Sequence, residues 1–158
     1  MRRVFFLVVI VAMASISNVR AQDYKTALGI KFYPGAVSVK HFVNDKGAIE
    51  GLGYFWKYGT RITGLYEYHM DIKDLDGLKW YVGGGAFFDI YSYKGGYGGY
   101  GNTSFGINAV GGVDYKFKTI PLNLSADWMP SILFGNNLYY SSNFRPGYGA
   151  VSVRYVLK

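Results

Sequence analysis

The sequence contains no cysteine, and its only histidines are His41 and His69. The first absence excludes disulfide scaffolds, thiolate metal sites and the acylated cysteine that anchors a bacterial lipoprotein. The second leaves too few imidazoles for a histidine-built metal centre, since two on different segments lack a third ligand. Charged residues make up only 17% of the 158 positions, which excludes a disordered polyelectrolyte. A coiled coil or long helical array, rich in Glu, Lys and Ala, is excluded on the same grounds. What is abundant instead is glycine, with 22 residues, and aromatic side chains, with 16 Tyr, 11 Phe and 3 Trp. That composition suits many short strands separated by turns.

The first 21 residues read as a secretory signal peptide. Arg2 and Arg3 precede the apolar run Val4 to Ala14, a polar stretch follows, and the small residue Ala21 stands before Gln22. Eleven apolar residues are too few for a helix that crosses a bilayer, which needs about 20. The expected domains are therefore residues 1–21 as signal peptide and 22–158 as the mature unit of 137 residues. Arg2, Arg3 and Arg20 leave with the leader, so the formal charge falls from +7 to +4. No cluster of basic residues interleaved with aromatics remains, and no nucleic-acid partner is expected.

In the mature chain apolar residues recur with period two. In Ser104 to Lys118, Phe105, Ile107, Ala109, Gly111, Val113, Tyr115 and Phe117 share one face. The other carries Ser104, Gly106, Asn108, Gly112, Asp114, Lys116 and Lys118, and Val110 is the single misfit. Leu122 to Leu133 and the terminal segment with Val151, Val153, Tyr155 and Leu157 repeat the design. Lys25 to Tyr33, Ala36 to Val43, Ala48 to Trp56, Arg61 to Met70 and Leu78 to Tyr91 complete eight strands. In Ala48 to Trp56 both faces are apolar, so the alternation does not assign a side to Glu50.

Eight tilted strands of about ten residues form the smallest common outer-membrane barrel. The expected fold is all-β, a closed eight-stranded antiparallel up-and-down transmembrane β-barrel. Asn44 to Gly47, Asp71 to Gly77 and Lys118 to Pro121 become periplasmic turns, and Ser92 to Asn102 and Phe134 to Gly147 become long outer loops. Two aromatic girdles follow: Tyr68, Trp80, Tyr115, Phe117 and Tyr155 at the periplasmic level, and Phe32, Phe88, Phe105 and Trp128 at the outer level. Pro130 falls near the outer rim, where a bulge or strand end tolerates a missing ladder donor.

The rival is a soluble lipocalin-like barrel of inverted polarity. The polar face holds Lys31, Lys40, Glu67, Asp89, Asp114, Lys116, Asp127 and Arg154 with only Ser, Asn, Thr and Gly beside them. Charges facing lipid at mid-depth cost about 2–4 kcal/mol each, so this face belongs inside and the apolar face toward the membrane. Lys40, Glu67, Asp114, Lys116 and Arg154 are expected to form an ion-pair network that fills the periplasmic half of the lumen.

The stretches KHFVNDKGAIEGLG from Lys40, TGLYEYH from Thr63, LKWYVGGGAFFDIY from Leu78, GVDYKFKTIPLNLSADWMP from Gly112 and the terminal VSVRYVLK resemble the small outer-membrane β-barrel proteins common in Bacteroidota. These are broadly similar to OmpA- and OmpX-like, porin-family barrels. The resemblance covers most of the mature chain and implies a Gram-negative outer-membrane location and the barrel-assembly machinery as partner of the C-terminal strand. It implies no reaction, since members mostly lack an assigned activity. Such barrels usually end on an aromatic residue, where this chain has Leu157 and Lys158.

No catalytic, cofactor-binding or metal-ligating residue is assigned. Gly96, Gly98 and Gly101 match G-x-G-x-x-G, but no helix follows to present amide donors to a phosphate. KGGYGGYGN reads instead as a tyrosine-bearing surface loop able to meet a glycan or protein ligand. Lipid-modifying chemistry would need a histidine base, and His41 and His69 both sit near the periplasmic end, with His69 beside Glu67 on the inward face. The expected function is structural or surface-interacting. A lipid-modifying enzyme and a lipocalin-like binder stand as the alternatives.

Overall fold

The computed structural model describes residues 25–95, 98–134, 143–147 and 149–157, with 92–95 and 98–102 as backbone. The predicted signal peptide, most of the Phe134 to Gly147 loop and Lys158 lie outside the described residues. Ten strand segments follow in order: β1 (Thr26–Phe32), β2 (Ala36–Phe42), β3 (Gly47–Trp56), β4 (Gly59–Asp71), β5 (Leu78–Gly95), β6 (Gly98–Lys116), β7 (Leu122–Trp128), β8 (Ser131–Phe134), β9 (Phe144–Arg145) and β10 (Gly149–Leu157). The described residues contain no helix.

Each strand pairs antiparallel with its neighbour in sequence from β1 to β6, and β1 also pairs with β10, from Thr26–Leu157 to Phe32–Val151. β6 pairs with both β7 and β8, and β10 with β7, so the sheet closes on itself. β7 with β8, and β9 with β10, each make one stave, which gives a closed barrel of eight. Closure satisfies every ladder without an open edge, the condition for a sheet to cross lipid.

Met129 and Pro130 interrupt the seventh stave. Pro130 has no N–H to give, but its carbonyl accepts the Ala109 N–H at 3.0 Å and the register with β6 is kept, from Gly111–Trp128 to Asn108–Ser131. The register shifts on the other side, where three residues separate Arg145 from Gly149 and only two separate Trp128 from Ser131. One extra residue there is a bulge, and Gly147 takes the positive φ, 76°, that it requires. Pro130 therefore marks a break inside a stave rather than a strand end.

In the segment Ser92 to Asn102, expected as a loop, residues 92–95 and 98–102 form a β-ribbon. β5 and β6 stay in register from Tyr91–Asn102 to Gly95–Gly98, beyond the Gly59–Tyr91 pair at which β4 stops. Glycine and tyrosine composition signals a loop, but continued backbone pairing carries the hairpin past its neighbours.

Side-chain alternation sorts the two faces as expected. Ile30, Val39, Ile49, Ile62, Val82, Ile107 and Val151 turn outward. Lys31, Lys40, Glu50, Glu67, Asp114, Asp127 and Arg154 are buried inside. Polar groups inside and apolar groups outside is the reverse of a lipocalin-like barrel. Val110, the misfit in its strand, points inward and joins Leu52, Tyr54, Leu65 and Tyr81 in an apolar layer of the interior.

The aromatic groups fall at opposite ends. At the end that holds Thr26 and Leu157, Leu78 pairs with Tyr115 and Met70 with Trp80. Tyr115 and Phe117 meet edge to face with ring centroids 4.8 Å apart. At the far end Phe88 lies opposite Phe105, whose ring is 5.9 Å from that of Phe134. Trp128 faces Gly149, two residues beyond the Phe32–Val151 pair. At the first end Lys118 ties the 72–77 turn through Asp76 at 2.7 Å and holds that carboxyl below its ordinary range.

Candidate functional site: the barrel interior and its far mouth

Two zones of the interior carry chemistry. In the first, β3 delivers Glu50 and β10 delivers Arg154, both fully buried. The Arg154 guanidinium is paired with the Glu50 carboxylate and also donates to Ser38 Oγ at 2.7 Å, Ser125 Oγ at 2.7 Å and Asn123 Oδ1 at 3.2 Å. Ser38 Oγ in turn donates to Glu50 Oε1 at 2.6 Å. Asn123 Nδ2 donates to Asp114 at 2.6 Å, and Lys40 Nζ lies 3.5 Å from the other Asp114 oxygen and 2.7 Å from Glu67. His69 Nε2 completes the chain at 3.0 Å from Glu67, its ring stacked on Tyr81 and tilted against Phe42.

These groups arise from alternation. Glu50 faces inward because Leu52 and Tyr54, two and four residues on, are inward too. Replacing such a network by apolar groups can be neutral, but removing one partner leaves an uncompensated charge in the buried interior. The expectation is met for Lys40, Glu67, Asp114 and Arg154 and corrected for Lys116. Lys116 stands at the end of β6 and turns its ammonium to the carbonyls of Phe117 and Ile120, outside the network. A long stem lets a lysine near the rim reach polar groups there.

A level nearer the far end, Lys31 pairs with Asp127 at 2.7 Å, and the Tyr81 hydroxyl donates to the same carboxylate at 2.9 Å. Tyr81 thereby joins the two levels, since Lys40 Nζ sits 4.4 Å from its ring centroid.

The second zone is a cavity of about 590 Å3 at the far mouth. One wall is aromatic: Tyr54 and Trp56, two residues apart on the inner face of β3, lie nearly parallel at 5.9 Å, and Tyr91 of β5 extends the row at 6.4 Å. Arg61 lines it from β4, held by two bonds to Asp89 at 2.5 and 2.7 Å with its guanidinium 4.3 Å from the Phe87 ring centroid. Arg145 lines it from β9, and Lys31 and Asp127 are also part of the lining. None of Tyr54, Trp56, Arg61 and Tyr91 was singled out in the sequence. For Arg61 and Tyr91 the signal was parity with inward Glu67 and Asp89, whereas for Tyr54 and Trp56 it was parity with Glu50, whose side the alternation left open.

The histidines do not converge. His41 is exposed on the outer face and hydrogen bonded to Thr26 Oγ1 at 2.8 Å, whereas His69 is buried inside. Among the described residues no group of three or more His, Cys, Asp or Glu is arranged to hold a metal ion. Gly98 and Gly101 lie in extended β6, and Gly96 lies outside the described residues.

Apolar exterior, charged interior and eight antiparallel staves define a barrel of the outer-membrane type. The comparison with solved structures agrees: the chain is similar to the N-terminal β-barrel domain of Pseudomonas aeruginosa OprF, with a TM-score of 0.54 and 16% identity. The match covers 84% of this chain and 94% of that domain, and at this identity it establishes the fold. No protein-family model matches the sequence, and neither does any curated protein.

Proposed function

We propose that this chain is an integral outer-membrane protein of a Gram-negative bacterium, exported through cleavage after Ala21, with a structural or surface-interaction role and no enzymatic activity. The observation that carries this reading is the sorting of side chains. The outward face is apolar between its two aromatic ends, while Arg154, Glu50, Lys40 and Glu67 meet in the interior. Eight strands enclose a space just wide enough for side chains, and here charged and apolar groups occupy it, so the lumen is closed to free diffusion. The lipid bilayer covers the outward face, and the assembly machinery reads the terminal strand with Val151, Val153 and Tyr155 turned outward. A glycan or protein ligand is met at the far end. A lipid-modifying activity is disfavoured by the separation of His41 from His69 on opposite faces.

The deciding experiment is gel mobility before and after boiling, run on cell fractions. A band in the outer-membrane fraction that shifts on boiling is expected. An unshifted band in a soluble periplasmic fraction would overturn the assignment.

A further inference from the structure

The far-end cavity has the size of a ligand site, since about 590 Å3 lies within the roughly 300–1,000 Å3 of small-molecule pockets. Its charges are satisfied within the protein. Lys31 is held by Asp127 at 2.7 Å, Arg61 by Asp89 through two hydrogen bonds, and Arg145 too is engaged within the chain. An anion would have to displace one of these carboxylates, and a cation would meet three positive side chains. The lining selects an uncharged occupant.

Ring surface is what remains to meet it. In the lining Trp56 is 37% exposed, Tyr91 50% and Phe144 54%. Trp56 and Tyr91 stand on β3 and β5, and the register sets Gly59 of β4 between them, opposite Trp56 on one side and Tyr91 on the other. A Cβ at Gly59 would stand 3.4 Å from the Tyr91 ring and 2.9 Å from the Ile90 carbonyl oxygen. With glycine there, no side chain separates the two rings, which lie nearly parallel with centroids 6.4 Å apart. They form one apolar surface for a flat body.

A hydrocarbon would match the rings alone. Beside them, however, Arg61 keeps 16% of its side chain exposed, and Asp89 takes only two of the five N–H groups of a guanidinium. A hydrocarbon would strip water from the remaining donors and return no hydrogen bond. A neutral hexose has an apolar C–H face for the rings, hydroxyl oxygens at its edge for the donors, and no charge to compete with either ion pair.

We propose that the far-mouth cavity binds uncharged hexose units of external saccharides, with a C–H face on Trp56 and Tyr91 and the hydroxyl edge toward Arg61. This gives a chemical class to the surface-interaction role and rests on that reading, in which the far end faces the cell exterior.

The test uses the full mature protein refolded in micelles of a zwitterionic, sugar-free detergent. Cellotriose and maltotriose are the uncharged probes, and trigalacturonate is the charged counterpart of similar size. Titration calorimetry should show saturable binding of at least one neutral trisaccharide, at least fivefold tighter than the acid. Trp56→Ala and Tyr91→Ala should each weaken it about five- to tenfold, while Trp56→Phe, which keeps a flat ring, should stay within about twofold of the wild type. Arg61→Lys keeps a cation for Asp89 but loses the planar fork, and should weaken binding about threefold. Trp128→Ala, on the outward face, should leave it unchanged. Binding of neither neutral sugar at millimolar concentration, equal binding of the acid, unchanged affinity in Trp56→Ala or Arg61→Lys, or an equal loss in Trp128→Ala would overturn the proposal. The boiling shift is read on the same samples, so a barrel that shifts without binding sinks only the site. A chain that shows no shift sinks the outer-membrane reading and the site with it.

Discussion

Arg154 on β10 reaches the carboxylate of Glu50 on β3, three staves away around the barrel, so a single ion pair spans the lumen rather than lining one wall. The same guanidinium is bonded to Ser38 on β2 and to Asn123 and Ser125 on β7. Four staves thus share one side chain, and the interior is tied together at that level.

That arrangement makes the loss of one partner costly. Arg154→Met should destabilise the folded barrel by about 3–5 kcal/mol, because Glu50 is left charged and buried. Arg154→Met combined with Glu50→Gln should recover at least about 1 kcal/mol of this. Urea titration of the micelle-bound protein, followed by the loss of the boiling-sensitive band, measures both. A double variant no more stable than the single one would show that the pair does not act as a unit.

The proposed closure of the lumen bears on conduction. Glu50, Arg154, Lys40, Glu67 and Asp114 occupy one level, and Leu52, Leu65, Tyr81 and Val110 contribute an apolar layer. Wild-type protein in planar bilayers should give no steady open-channel current. A reproducible large conductance would contradict the filling inferred from these contacts.

Side-chain direction gives a third test. Val39→Lys places a charge on the outward face next to inward Lys40, and it should cost about 2–4 kcal/mol if that position faces the bilayer midplane. The same substitution at Val43, just past the end of β2, should cost about 0–1 kcal/mol. Folding into lipid vesicles, with the urea midpoint as readout, separates the two. Equal costs would mean that this face is not in lipid.

The alternation that exposed these faces was plain where each strand had one polar side. Phe105 to Phe117 declared its outward set directly, and Lys40, Glu67, Asp114 and Arg154 were legible as interior because polar residues accompanied them. Glu50 was not, since an interior that contains Leu52 and Tyr54 looks the same in period two as an exterior that contains Ile49. The far-mouth cavity inherited that ambiguity, because Tyr54 and Trp56 follow Glu50 in phase. Lys116 obeyed parity but stood at the rim, where the stem's reach decides its contacts. The ribbon of residues 92–95 and 98–102 was hidden for a different reason: its pairing lies in the backbone, which glycine and tyrosine composition does not reveal.

Close packing between strands supplies the last test, at two glycines that the sequence treats alike. A Cβ built on Gly85 would stand 1.9 Å from the Gly64 carbonyl oxygen and 2.8 Å from Leu65 Cα, both backbone atoms that no rotamer change can move aside. A Cβ on Gly64 would meet nothing within 4 Å. The two residues lie almost opposite each other, since Gly85 pairs with Leu65 and Gly64 with Ala86, so their depth is matched, while Gly64 turns outward and Gly85 shares the inward phase of Phe87 and Asp89. Gly85→Ala should therefore destabilise by about 1–3 kcal/mol through overpacking, or stop refolding outright, while Gly64→Ala should fold as the wild type does. The fraction of protein that reaches the boiling-sensitive form after dilution from urea into micelles measures the difference. A Gly85→Ala barrel that refolds as fully as Gly64→Ala would mean that β4 and β5 separate enough to admit a methyl group, and that glycine at position 85 is not a requirement of the ladder.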